Sequence, residues 1–320
     1  MTTVYVLAGP PGSGKSTWAR QKQKESDINC LLFESDAYRL DMFGTLEDRA
    51  QNQKLNTQVF ARMREDLLSS VVRAKNEDTD INLIYDATNI SRRRRIALYN
   101  EIKSKNKDAK VVVVVFYKML EELFYTNEHR PEKEQVPVFK IKEMYVNMQP
   151  PRVGVDCDDM ELVGTRLFEE DSRGTYSPTN LFRFEIEGFY TNLPHNNPHH
   201  KETIRQHINM CVEASSHNWL IEEVAQFHDL GKFVSRTWDD RGFHTYKGHA
   251  NLSAMYHFNI AFEEIKSGDE SYIMINEAIL RHMDAHQGIG EKSIKRHKLD
   301  DMTLNLIESF RVIDQESKIA

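Results

Sequence analysis

The chain has 320 residues, of which 40% are hydrophobic and 28% charged, and a formal charge of −7. That length suits two domains with separate cores, and three scattered cysteines (Cys30, Cys157, Cys211) exclude a disulfide framework or a zinc knuckle. No apolar run approaches the ~20 residues of a transmembrane helix, and residues 151–320 carry 18 Lys/Arg against 28 Asp/Glu, too acidic for a general nucleic-acid coat.

The first predicted element is a strand over Val4–Ala8, which reads as the start of a folded domain rather than a signal or transit peptide. Directly after it comes GPPGSGKS, a complete G-x-x-x-x-G-K-[ST] pattern with Gly9, Gly14, Lys15 and Ser16 in place. Glycines, Gly12 and Gly14 included, let successive backbone N–H groups, that of Ser13 among them, turn onto a β-phosphate while the next helix presents its positive N-terminus. Lys15 then reaches the β- and γ-phosphates, and Ser16, less directly Thr17, offers a hydroxyl to Mg²⁺. ATP or another nucleoside triphosphate is the expected ligand.

Further strands are predicted over Cys30–Glu34, Ile81–Asp86 and Lys110–Tyr117, with helices from Lys15, near 46–75, from Ser91 and over 138–148. This alternation implies a parallel sheet with ligands at the carboxyl ends of its strands. Asp36 and Arg39 follow the second strand, where a carboxylate can take the proton of an attacking hydroxyl and an arginine can clamp an acceptor phosphate; helix capping by Ser35 or Asp36 is the structural alternative. Asp86 ends the third strand ahead of Thr88 and Asn89, placed to orient Mg²⁺ or to cap the next helix. Arg92–Arg95 read as a solvated helix face with some members free to touch a phosphate. The charged NEHRPEKEQVP segment (127–137) reads as a lid, with Arg130 able to fold onto the γ-phosphate.

The motifs PGSGKSTWAR, DAYR, TNISRRRR and NEHR…VP together resemble the 5′-kinase domain of bacteriophage polynucleotide kinases over residues 1–150. The resemblance implies that Lys15 and Ser16 hold ATP and its Mg²⁺, that Asp36 is the general base, that Arg39 binds the phosphate beside an acceptor 5′-OH with Asp86 and Thr88 nearby, and that Arg130 is the lid arginine. One departure is visible: Ala87 separates Asp86 from Thr88-Asn89, where the phage enzyme has Asp directly before Thr-Asn.

Pro150-Pro151 and the acidic run after them mark a boundary. A connecting segment follows over 151–194, in which NLFRFEIEGFY alternates as a strand would. Of 13 histidines, only His129 precedes residue 150, so the chemistry changes with the domain. Beyond about 200 the pattern is helical, with His228 and Asp229 adjacent in FHDLGK and further candidates at His207, His249, His282, His286 and Asp314. The order H…HD…H…H…D resembles the HD-domain metal-dependent phosphohydrolases over residues 195–320, and NNPHHKETIRQH resembles the segment that opens them. The resemblance implies a first metal held by His207, His228, Asp229 and Asp314, a second completed by His249 and His282, and a phosphate contact from Lys232. His286, His199 and His200 are further candidates. Mixed nitrogen and oxygen donors suit Mn, Fe, Co, Ni, Cu or Zn, any of which activates water for attack on phosphorus.

The expected fold is an α/β P-loop kinase domain with a parallel sheet, followed by an all-α HD domain. The expected function is nucleic-acid end healing: ATP-dependent phosphorylation of 5′-OH ends and removal of 3′-phosphate or 2′,3′-cyclic phosphate. The expected partners are RNA or DNA ends and a ligase acting downstream, in the cytoplasm (the host's, for a phage-encoded chain), with no membrane. Two alternatives are a nucleoside or nucleotide kinase fused to a nucleotidase, and a nucleotide-sensing regulatory module.

Overall fold

The computed structural model describes residues 1–44, 53–170, 176–198 and 200–318, so His199 and the first part of the helix expected near 46–75 lie outside the described residues. The chain forms two compact units, one of residues 1–145 with 151–165, the other of residues 146–150 with 166–320. The stretch 151–194, expected as a connector, is thus divided between the two. Among the described residues no helix is long and apolar enough to cross a membrane.

The first unit runs β1 (Thr2–Ala8), α1 (Lys15–Lys24), β2 (Asn29–Glu34), α2 (Ser35–Phe43), α3 (Gln53–Asn76), β3 (Ile81–Asp86), α4 (Arg92–Lys105), β4 (Lys110–Tyr117), α5 (Leu120–Glu128), α6 (Val138–Val146) and β5 (Asp159–Gly164). The five strands form one sheet in the order β2-β3-β1-β4-β5. All neighbours are parallel, with Val6 opposite Tyr85 on one side and Val113 on the other. This is an α/β P-loop kinase-like domain. After Lys110, β4 is the unbroken apolar run VVVVVFY, as a central parallel strand covered on both faces requires. Leu7, Ile84, Val114 and Phe116 form the core beneath α1, where Trp18 meets Phe116 edge-on at a centroid distance of 5.8 Å. β5 was not expected. As an outer strand it pairs only with β4 and leaves Glu161 half-buried, so its sequence lacks the continuous apolar signal of its neighbour.

The arginine run is also corrected. Arg93 and Arg94 are exposed, but Arg92 and Arg95 are 1% and 2% accessible. Arg95 Nε lies 2.7 Å from Asp156 Oδ2 and its Nη1 donates to the carbonyl of Asn89 at 2.8 Å. That arginine is a structural post holding the loop behind β3, not a phosphate contact.

The second unit continues with β6 (Phe168–Glu170), β7 (Tyr176–Pro178), α7 (Asn180–Glu185), α8 (Glu187–Tyr190), α9 (Ile204–Ala214), α10 (Trp219–Phe227), α11 (Lys232–Ser235), β8 (Thr237–Trp238), β9 (His244–Thr245), α12 (His249–Ile260), α13 (Phe262–Ser267), α14 (Glu270–Ala285), α15 (Glu291–His297) and α16 (Asp301–Glu316). It is mostly helical; the β8-β9 ladder is an exception to the all-helical expectation for 195–320, and the β6-β7 ladder lies in the stretch expected as a connector. α14 packs against α16, α12 and α10. Its Ile275, Ala278 and Ile279 are fully buried, as are Tyr256 and Phe258 of α12 and Phe310 of α16.

NLFRFEIEGFY forms α7 and α8, not a strand. Thr179 accepts a hydrogen bond from Phe182 N at 3.2 Å and so caps α7. The two residues it buries, Phe182 and Ile186, are four apart, whereas Phe184 between them is 63% exposed. A strand would have buried all three on one face.

Candidate functional sites

In the first unit the P-loop joins β1 to α1. Gly14 stands at the N-cap of α1 with φ 98°, a left-handed geometry that costs glycine little and lets the loop enter the helix without an obstructing side chain. Gly9 N donates to Thr88 O at 2.9 Å, and Asn89 Nδ2 to Leu7 O at 2.8 Å, so the turn after β3 braces the loop. Lys15 is 8% exposed, its Nζ donating to Pro10 O at 2.7 Å and to Ser13 Oγ at 3.4 Å. Burial brings its ammonium down to about 8, with Asp86 and Asp36 pulling up and Arg130 pushing down. The lysine, both acids and the segment arginine therefore share one electrostatic field. Arg130 Nη1 also donates to Glu134 O at 3.3 Å within its own segment.

Ser16 Oγ donates to Asp86 Oδ2 at 2.6 Å. Asp86 is 3% exposed, and burial raises its carboxyl against the opposing pull of Lys15 and Ser16. Hydroxyl and carboxylate side by side at the foot of a phosphate loop form the pair that holds Mg²⁺ in P-loop enzymes. Ala87 does not displace Asp86 from this position, and Ser91, not Asp86, is the N-cap of α4. Thr88 enters the site through its carbonyl, and Thr17 is exposed on the first turn of α1.

Asp36 and Arg39 lie one turn apart on α2, whose N-cap is Glu34, so the capping alternative fails. Arg39 Nη1 meets Asp36 Oδ1 at 2.8 Å, and its Nη2 donates to Asn56 Oδ1 at 2.7 Å. An arginine held this way presents a fixed cation beside a carboxylate at the strand's carboxyl edge.

In the second unit α10 ends at Phe227, so His228 is its C-cap and Asp229 starts the following turn, just beyond the helix rather than within it. Gly231 makes the close approach of this turn to α12 possible: a Cβ there would stand 2.3 Å from His249 O. Four imidazoles converge on Asp229. Its Oδ2 is 3.7 Å from His207 Nε2 and 3.3 Å from His228 Nε2, while Oδ1 is 3.4 Å from His249 Nε2 and 3.9 Å from His282 Nε2. Each Nδ1 donates to a backbone carbonyl: His207 to Ser317 and His228 to Ala225 at 2.8 Å, His249 to Tyr246 at 2.7 Å, His282 to Ile279 at 2.8 Å. Those bonds fix ring orientation and leave Nε2 as the atom facing inward.

Asp314 Oδ1 is 3.0 Å from His207 Nε2, and its Oδ2 meets His286 Nε2 at 2.8 Å, so His286 orients the carboxylate from behind. Lys232 Nζ lies 2.6 Å from Asp229 Oδ2 and 3.3 Å from His195 Nε2. Burial by itself would raise Asp229, but His228 and Lys232 overcome it and hold the carboxyl well below the usual range. Burial keeps His249 and His282 neutral, down to about 4 and about 3. With both Nδ1 protons committed, their Nε2 lone pairs face each other across 3.0 Å, an arrangement that calls for a cation between them.

Two donor sets thus lie side by side at Asp229: His207, Cys211, His228 and Asp314 in one, Asp229, His249 and His282 in the other, the atoms of each set within 4.8 Å of one another. His228 Nε2 makes no hydrogen bond. Imidazoles aimed by backbone carbonyls around these carboxylates, two of them kept neutral by burial, fit a divalent metal pair. Sequence reading missed Cys211, and of a third group, His195, His200 and Glu202, it named only His200, whose Nδ1 lies 2.5 Å from Glu202 Oε1. Cys211 was detectable: it follows His207 by four residues and shares its helix face.

The protein family described as AAA domain matches residues 4–151. No curated protein matches the chain. Among solved structures, Chaetomium thermophilum Kti12 in complex with ADP-AlF3 aligns at 19% identity over 53% of this chain and 92% of that one, with a TM-score of 0.36. A gluconokinase from Sinorhizobium meliloti 1021 aligns at 16% identity over 50% and 81%, TM-score 0.35. A chain of the Pnkp1/Rnl/Hen1 RNA repair complex aligns at 16% identity over 59% and 68%, TM-score 0.35.

Proposed function

We propose that this chain heals nucleic-acid ends, phosphorylating 5′-OH termini in the first unit and removing 3′-phosphate or opening 2′,3′-cyclic phosphate in the second. The observation that carries the reading is the pairing, in one chain, of a P-loop with a buried cluster of four imidazoles converging on Asp229. Addition and removal of phosphate in one polypeptide are productive when they act on opposite ends of a break.

In the kinase reaction ATP lies on the P-loop with Lys15 on its phosphates and Ser16 and Asp86 toward Mg²⁺. Asp36 accepts the proton of the attacking 5′-OH, and Arg39 grips the adjacent acceptor phosphate, with Thr88 near the acceptor. Arg130 supplies positive charge as the phosphoryl group transfers. In the second unit, an HD-type phosphohydrolase in this reading, His207, His228, Asp229, Asp314, His249 and His282 would hold transition metals. The metals supply Lewis acidity and a water deprotonated near neutral pH. Lys232 contacts the substrate phosphate. A ligase then seals the paired ends.

The test is incubation with ATP and Mg²⁺, with Mn²⁺ or Ni²⁺ added, on oligonucleotides bearing 5′-OH and either 3′-phosphate or 2′,3′-cyclic termini, each end followed separately. Turnover at both ends with preference for polymers over nucleosides supports the reading. Equal use of bare nucleosides and nucleotides overturns it in favour of a small-molecule kinase with a nucleotidase, and intact ends with bound nucleotide overturn it in favour of a sensor.

A further inference from the structure

The first of the two donor sets contains a thiol. Cys211 is fully buried one turn after His207 on α9, its Sγ 3.8 Å from His207 Nε2. The sulfur, the two imidazole nitrogens of His207 and His228, and a carboxylate oxygen of Asp314 lie within 4.8 Å of one another. An independent feature points to a cation at this position: His228 is 1% exposed, gives its Nδ1 proton to Ala225 O at 2.8 Å, and has no hydrogen-bond partner at Nε2. That nitrogen is packed 3.3 Å from Asp229 Oδ2 without a hydrogen bond, and a metal ion between the ring and the carboxylates would satisfy both.

We propose that Cys211 is a ligand of the metal held by His207, His228 and Asp314, adding one sulfur to their two nitrogens and one oxygen and to the oxygen of the shared Asp229. The proposal rests on reading the second unit as a metal centre, and it adds what that reading leaves open, the class of metal. A thiolate is a soft donor that favours Zn²⁺, Co²⁺, Ni²⁺ or copper over Mg²⁺ and Mn²⁺. When the metal–sulfur bond forms, the thiol proton leaves to solvent and no redox change is involved. Cys30 and Cys157 belong to the first unit, far in sequence from these donors, and serve as internal controls.

Titration of the purified chain with Co²⁺ separates the two readings, because visible d–d bands report any bound cobalt whereas a near-ultraviolet sulfur-to-cobalt band reports a thiolate ligand. Both are expected in the wild type. Cys211→Ser, which leaves the other two cysteines in place, keeps the visible bands, loses the near-ultraviolet one and binds Co²⁺ at least about tenfold more weakly. Visible bands without the sulfur band in the wild type, or a sulfur band that survives in Cys211→Ser, overturn the proposal and leave the metal centre standing. Absence of both bands overturns the metal centre and the proposal together.

Discussion

Lys15→Met separates what the P-loop lysine does for nucleotide binding from what it does to the fold. Its ammonium is nearly buried and drops from 10.5 to about 8, chiefly through burial. At ~1.36 kcal/mol per unit, keeping that charge inside the fold costs on the order of 3 kcal/mol. A cation with a lowered pKa binds its proton more weakly in the folded chain than in the unfolded one. The cost is therefore full below pH 8 and fades as pH rises toward 10.5. Methionine keeps the stem but forfeits the 2.7 Å bond to Pro10 O, a charged hydrogen bond worth ~1.5–3 kcal/mol. The balance leaves Lys15→Met about 1 kcal/mol more stable near neutral pH, a rise of roughly 2–4 °C in melting temperature. Near pH 10 the gap closes or reverses. Thermal unfolding followed at several pH values, with and without ATP and Mg²⁺, reads both effects: nucleotide raises the wild-type melting temperature and leaves that of the variant unchanged. A variant that melts below wild type at neutral pH, by the same margin near pH 10, refutes the burial argument.

Asp36→Asn lowers 5′-end phosphorylation by ~10²-fold or more while leaving 3′-end hydrolysis near wild type. Arg39→Ala lowers kcat/KM for a polynucleotide acceptor far more than for a nucleoside, and equal losses refute its phosphate clamp. Asp229→Ala abolishes metal-dependent 3′-end hydrolysis and spares the kinase, since both donor sets lose the carboxylate they share; hydrolysis at the wild-type rate in a folded variant refutes the second-unit reading. Arg95→Ala leaves the buried Asp156 carboxylate without the Arg95 guanidinium, with the Arg152 N–H at 2.7 Å still in place, and destabilises by ~3–5 kcal/mol, whereas the double change Arg95→Met with Asp156→Leu recovers most of that loss in denaturant unfolding.

The apolar strands of the first unit were legible because each is a run of β-branched and aromatic residues bounded by glycine or a polar turn. Ile81–Asp86 and Lys110–Tyr117 coincide with their predicted limits. The strand β5 and the helices α7 and α8 were not, for opposite reasons. β5 borrows its strand character from the neighbour it pairs with, while α7 takes its helical period from a threonine cap and two buried residues amid alternating polar ones.

The chemistry on offer is written in local spacing: a phosphate loop, an acid and an arginine one helical turn apart, and candidate histidines and aspartates from His207 to Asp314 in the second half. Local spacing carries such information because a loop that wraps a phosphate or a helix that aligns i and i+4 side chains depends only on neighbouring residues. Which residues meet was decided by tertiary structure. Ser16 and Asp86 are 70 positions apart, and the ring of His207 touches a carboxylate 107 positions away. Arg92 and Arg95 show the same limit, since four consecutive arginines look alike in sequence, and only the packing of α4 buries two of them and leaves the other two in water.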